Sequence, residues 1–425
     1  MSNTFLTEIE PNLGFVRDLL EGGAASLESC YQCATCSTVC PLSSDGNPFP
    51  RKEMIWAQWG QMDKLINNPD VWLCHQCNDC VTYCPRDAKP GDLMAAVRKF
   101  SFGHFATPGF MGKIFQKAIT QLYLLAVPVI ILFLALIFNN SLTNVPRGVN
   151  GEIVFDFFIP TITIDLIFIP FALFAVFAIV LSLRRFWGGL KEHAPPAKDS
   201  KKSIVSSIIK TVMDIAFHTR FKKCGTNKDR SIAHAMVLWG FVGLFITTNI
   251  GFVYIYGYLV GILDQPYAPP STLLDTLSFS VADANNAMGG LASHHPQLHY
   301  TAPYAKLFGY FSAFLFIVGG INLMINRMKT KLKTTNTTYD WVFMMMLLLT
   351  GLTGAISPWL RGHQWAALAY PNYFIHLVFV FYIIAYLPYS KLAHMAYRFT
   401  AMVYSTYTGR DAEIILSEEA SNKAA

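Results

Sequence analysis

Residues 30–41 read CYQCATCSTVCP and residues 74–85 read CHQCNDCVTYCP. Each is C-x2-C-x2-C-x3-C-P, a run whose thiolates hold iron–sulfur clusters. Three cysteines spaced two residues apart form a tight loop that can wrap three corners of a cubane. The fourth is carried away by the proline after it, and in two-cluster proteins it reaches the other cluster. The spacing therefore assigns Cys30, Cys33, Cys36 and Cys84 to one [4Fe–4S] cluster. Cys74, Cys77, Cys80 and Cys40 are assigned to the second. A zinc site asks for two Cys/His pairs around one tetrahedral ion, not two sets of four. Disulfides need an oxidising compartment, and the first residues lack the basic and apolar regions of a secretory leader. Covalent c-type haem is excluded because no C-x-x-C-H occurs.

Around these runs the chain reads as helical. Residues 5–29 hold one short helix pattern. After Pro50, the recurrence of Ile55, Trp59, Met62 and Ile66 predicts a single amphipathic helix. A further helix is expected from Lys89-Pro90-Gly91-Asp92 to about Lys99. Residues 1–117 are thus an α-helical ferredoxin domain, in which Trp56, Trp59 and Trp72 read as core or partner-docking positions. Cys224, alone outside the runs, reads as inert.

Beyond this head the composition changes. Of 425 residues, 53% are hydrophobic and 14% charged, against about 25% charged in soluble domains. A bilayer of ~30 Å needs about 20 apolar residues per helix. Six stretches qualify, at 119–138, 160–183, 232–256, 305–326, 341–360 and 371–389. The fold class is all-α, a ferredoxin head followed by a six-span membrane domain over 118–398 and a polar cytoplasmic tail over 399–425. Lys and Arg crowd the segment from Arg184 to Arg230, then Arg327 to Lys333, then Lys391 and Arg398, while alternate loops carry little beyond Arg147 and Arg361. By the positive-inside rule both termini and the iron–sulfur head face the cytoplasm, in a multi-pass protein of the inner membrane. The net charge of +6 serves this topology, and no nucleic-acid partner is expected. Residues 203–216 carry Ile204, Ile208, Ile209, Val212 and Ile215 on one face, as in a helix lying on the inner membrane surface. The outer loop 257–304 is long enough to cover a site.

Ionisable residues within spans are uncommon and usually functional. His234 begins span three, and His376 and His394 bracket span six. On one continuous helix the last two would be five turns and ~27 Å apart on one face, one per leaflet. His234 and His394, at similar inner depth, suit two axial ligands of one b haem. His376 asks for a second haem near the outer face, but Leu244, Thr247, Thr248 and Asn249 on span three are poor partners. One haem only, a five-coordinate second haem, or a ligand from elsewhere all remain open. His299, then His295, His294 and His363, are the candidates for that ligand. His104, His193 and His218 read as ordinary cytoplasmic histidines, and His75 as a shaper of its cluster loop.

The head resembles the heterodisulfide reductase C subunit through both cysteine runs. Residues 160–398 are similar to the cytochrome b family containing the nitrate reductase gamma subunit, through His234, His376, His394 and the segment HLVFVFYIIAYLPYSKLAH. Joined in one chain, the two resemble the C subunits of quinone-interacting membrane-bound oxidoreductase complexes. The resemblance implies electron transfer between menaquinone and cytoplasmic flavoprotein subunits resembling heterodisulfide reductase A, and through them adenylylsulfate (APS) reductase in dissimilatory sulfur metabolism. It implies haem b as cofactor. It also makes Lys306, at the outer start of span four, a candidate quinone contact. Leu244 departs from the nitrate reductase pattern, which has histidine there. A membrane subunit of a heterodisulfide reductase-like complex is the alternative. No C-C-G module is present, so apart from the quinone reaction no substrate chemistry is expected of this chain alone.

Overall fold

The computed structural model describes residues 10–142, 147, 151, 153–194, 202–220, 225, 230–259, 302–330, 334–335 and 337–410. Among them every regular element is a helix, and no β-strand occurs. The head contains α1 (Leu13–Glu21), α2 (Thr35–Thr38), α3 (Arg51–Gln58), α4 (Met62–Ile66), α5 (Pro69–Leu73), α6 (Asp79–Thr82), α7 (Pro90–Phe105) and α8 (Gly109–Phe115). The Asn12 side chain caps α1 by accepting the Phe15 amide. The single helix expected from Ile55 to Ile66 is instead two. Trp59 ends α3 with its ring 57% exposed, and Gly60 turns the chain at φ +62. A Cβ on Gly60 would lie 2.7 Å from the Asn12 amide nitrogen, so the close approach of α1 forces the break.

Among the described residues, six helical segments are long and apolar enough to cross a membrane. The first combines α9 (Ala118–Tyr123) and α10 (Ala126–Phe138). After α11 (Phe155–Phe158) come α12 (Thr161–His193), the amphipathic α13 (Ile204–Ala216), α14 (Arg230–Leu259), α15 (Ala302–Lys329), α16 (Thr338–Gly362) and α17 (Ala366–Ala385). On α13, Ile204, Val205, Ile208, Ile209, Val212 and Met213 are exposed, while Ser207 and Thr211 are fully buried. Its small polar side faces the protein and its apolar side faces outward. Ile215, expected on that outward face, is packed against the head core.

Two expectations fail at the junction of head and membrane segments. The sixth span stops at Ala385; a short 3-10 turn (Lys391–Ala393) follows, and α18 (His394–Tyr407) begins at His394. Pro388 lacks an amide proton and disfavours helix before it. His376 and His394 therefore sit on different helices, and the single continuous helix from which their phase and spacing were reckoned does not exist. The chain after residue 398 is also no polar tail through residue 410. Tyr397, Ala401, Met402 and Tyr404 of α18 are buried in one apolar core with Phe15, Met54, Leu65, Trp72 and Val97 of the head. Phe186 and Leu190 join them because α12 continues to His193, ten residues past its expected end at 183. The Trp72 ring stacks on Tyr397 at 4.9 Å and 13°, and meets Phe102 and Phe186 edge-on. The head is welded to the membrane helices by aromatic packing rather than joined by a linker. Residues 411–425 lie outside the described residues.

Candidate iron–sulfur and histidine sites

Both cysteine runs fold the same way. Gln32 and Ala34 in the first, and Gln76 and Asn78 in the second, have positive φ between 54° and 71°. A four-residue helix follows each, α2 and α6, and these pack against one another. Alternating handedness of this kind curls a loop so that its amides face inward, a concavity suited to negative charge. Holding four non-glycine residues there costs on the order of 1 kcal/mol each, a strain typical of sites whose geometry serves chemistry.

The thiols fall into two groups. Burial pushes the Cys36 thiol up to about 11, helped by Cys30, Cys33 and Cys84. Burial raises Cys40 well above its usual range, with Cys74, Cys77 and Glu53 adding to the shift. Cys80 is raised in the same way by burial, then by Cys74, Cys40 and Cys77. Cys84 thus lies among the thiols of the first run, and Cys40 among those of the second. Among the described residues no three His, Cys, Asp or Glu side chains converge closely enough to hold a single ion. The donor chemistry fits two cubanes, whose iron draws the protons from such thiols on binding. The Cys30 group reaches the surface at exposed Cys33, beside exposed Tyr31 and Tyr83, with Arg86 over the Tyr31 ring at 4.1 Å. The Cys74 group faces inward.

Behind Cys74 lies a cavity of about 300 Å³. The head walls it with Cys74, His75 and Arg98, and the membrane helices with His234, Phe241, Phe316, Phe343 and Leu347; His394 and Arg398 complete it. The His234 and His394 ring centroids are 6.5 Å apart, with planes at 78°. An iron held between two imidazole nitrogens at about 2 Å each puts ring centroids about 6 Å apart. His394 Nδ1 lies 2.7 Å from the Lys391 carbonyl. A carbonyl only accepts, so Nδ1 carries the proton and Nε2 keeps its lone pair. Burial lowers the His394 pKa to about 4, which keeps the ring neutral as ligation requires. His234 Nδ1 is 3.0 Å from His218 Nε2. His218, expected to be an ordinary cytoplasmic residue, is buried at 6% exposure. It sits in the turn after α13 with φ 51, a placement no spacing in the sequence signals. The pair therefore fits a bis-histidine iron, with His218 orienting His234.

His376 lies elsewhere, on α17 against α16. Its Nδ1 is 3.1 Å from Thr353 Oγ1, whose proton goes to the Leu349 carbonyl. A Cβ on Gly354 would fall 2.8 Å from the His376 ring, so the glycine lets this ring approach α16 closely. Lys306 is half-buried at the start of the fourth span with Arg361 as its neighbouring charge. Arg361 is itself 8% exposed and lies over the Phe155 ring. His363 packs against Trp359 and Trp365, which also meet each other. His294, His295 and His299 lie outside the described residues, as does Cys224.

Residues 26–88 match the 4Fe-4S dicluster domain family. The head is similar to the C2 subunit of the H(2)/formate:CoB-CoM heterodisulfide,ferredoxin reductase of Methanococcus maripaludis, at 34% identity over 116 residues, 25% of this chain and 62% of that protein. It is similar to a protein of Archaeoglobus profundus that is itself like the heterodisulfide reductase C subunit, at 32% over 118 residues, 28% of this chain and 60% of that one. The iron-sulfur C subunit of the CoB--CoM heterodisulfide reductase of Methanopyrus kandleri matches at 30% over 119 residues, 26% and 60% respectively. The chain spans about three fifths of the length of these curated relatives. No solved structure matches. The N-terminal part is an iron–sulfur dicluster domain related to the heterodisulfide reductase C subunit, carried on a chain whose described residues include six helices fit to cross a membrane.

Proposed function

We propose that this chain is a membrane electron-transfer subunit linking the menaquinone pool to cytoplasmic flavoprotein and iron–sulfur partners. The observation that carries the reading is the cavity shared by the His234–His394 pair and the Cys74 loop. Two imidazoles whose ring centroids are 6.5 Å apart line it beside one of the two cysteine groups, a spacing that supports iron between them. His234 and His394 would hold an inner b haem. The Lys391 carbonyl fixes the His394 tautomer, His218 orients the His234 ring, and Phe241, Phe316 and Phe343 keep water from the site. Haem and clusters, when bound, supply one-electron carriers, and the protein supplies their order: inner haem, Cys74 group, Cys30 group, surface. His376 would ligate an outer haem with His299 as its other ligand, and Lys306 would contact the quinone. The basic loops support a cytoplasmic head. Flavoprotein subunits resembling heterodisulfide reductase A, and APS reductase beyond them, are the partners this order would serve. The names of the relatives favour the alternative of a heterodisulfide reductase-like complex, and co-purifying partners discriminate the two. The test of the central reading is His394→Ala. It should retain eight cluster irons and lose a low-spin b-haem signal, whereas full haem content with an unchanged spectrum would refute the reading.

A further inference from the structure

Three arginines from three distant parts of the chain meet on the backbone of the Cys74 loop. From α7, Arg98 donates Nε–H to the Val71 carbonyl at 2.7 Å and Nη2–H to the Cys74 carbonyl at 2.9 Å. From the first residue of α14, Arg230 donates to the Gln76 carbonyl at 3.1 Å and to the His75 carbonyl. From α18, Arg398 donates to the Cys74 carbonyl at 3.2 Å and to His75 Nδ1 at 2.8 Å. Arg398 stands one turn after His394, so a single turn of helix touches both the histidine pair and the cysteine loop.

The Cys30 group sits in different surroundings. Arg51 acts on Cys30 and Cys33, and Cys33 is exposed, where solvent and salt screen charge. Around the Cys74 loop the cations are partly buried, and charge acts there over a lower dielectric. A four-thiolate cluster becomes more negative when it gains an electron. Cations held against its loop favour the reduced form, and charge and hydrogen bonding are among the factors that set cluster potentials.

We propose that Arg98, Arg230 and Arg398 are positioning residues that make the Cys74-group cluster the more easily reduced of the two and fix it against the His394 helix. Asp79, the carboxylate of this run, accepts the Gly225 amide at 3.0 Å and tempers the effect. The inference deepens the proposed electron route, but its test needs neither quinone nor haem.

The purified full-length chain is titrated with dithionite and redox mediators while both reduced clusters are followed by EPR. In Arg398→Gln the higher midpoint should fall, by a tenfold change in reduced fraction at fixed potential, about 59 mV for one electron. The lower midpoint should stay put, and Arg398→Lys, which keeps the charge, should recover most of the shift. If Arg398→Gln fails to retain its iron, Arg230→Gln reads the same quantity. Midpoints that both stay unchanged with full iron content overturn the proposal, as does a shift confined to the lower one. Loss of b haem without a change in these midpoints overturns it too, since the arginines would then act on the histidine pair alone.

Discussion

Trp72→Ala should separate the head from the membrane helices. The indole is 1% exposed. It stacks on Tyr397 of α18 at 4.9 Å and meets Phe102 of α7 and Phe186 of α12 at 5.5 and 5.8 Å. Removing a buried tryptophan costs about 3–5 kcal/mol through lost transfer energy and the cavity left behind. Three aromatic pairs, each worth about 0.5–1.5 kcal/mol beyond area, place this site at the upper end, near 5 kcal/mol. That is over a thousandfold in the equilibrium between closed and open junction, from a total stability of about 5–15 kcal/mol. Hydrogen exchange on the detergent-solubilised chain measures it directly. Amides of α5 and α18 should lose protection together, while those of α16 and α17 keep theirs. Trp72→Phe should restore most of the protection. Unchanged protection of α18 in Trp72→Ala would show that the aromatic weld is not what holds the two parts together.

Two further outcomes follow from the head. Cys84→Ala should damage the cluster nucleated by the Cys30 loop, because Cys84 lies among Cys30, Cys33 and Cys36; cluster-resolved EPR showing loss confined to the Cys74 group would sink the crossed arrangement. Asp70 accepts from Lys52 Nζ at 2.7 Å and Arg410 Nη2 at 2.6 Å. Burial works to raise its pKa, but Arg410 and Lys52 outweigh it and hold the carboxyl at about 2. A depressed carboxylate contributes stability above its unfolded pKa of about 3.9 and loses it as pH falls through the folded value, here about 2–3 kcal/mol lost between about pH 4 and 2. Thermal unfolding should show Asp70→Asn less stable than wild type at pH 7, with the gap closing on acidification; a gap constant with pH would refute the assignment.

The sequence alone determined the parts whose chemistry is written in local spacing. C-x2-C-x2-C-x3-C-P needs no partner to be read, and its two copies name the candidate donors and suggest the exchange of Cys40 and Cys84 between them. Apolar length set the six spans to within a few residues at most ends, since a helix must satisfy its backbone within itself wherever water is absent. Tertiary structure decided what depends on contacts between segments distant in the chain. Gly60 breaks a helix because α1 passes 2.7 Å from where its Cβ would be. Pro388 separates His376 from His394, and the phase that seemed to relate them belonged to no single helix. His218 reaches His234 across a turn, and Tyr397 to Tyr404, read as a membrane boundary and tail, are core to the head. Arg230 and Arg398 read only as topology markers, and Arg98 carries no signal in the sequence. Only folding brings them to one loop, because a side chain's neighbours across a junction are set by packing, and packing has no period in the sequence.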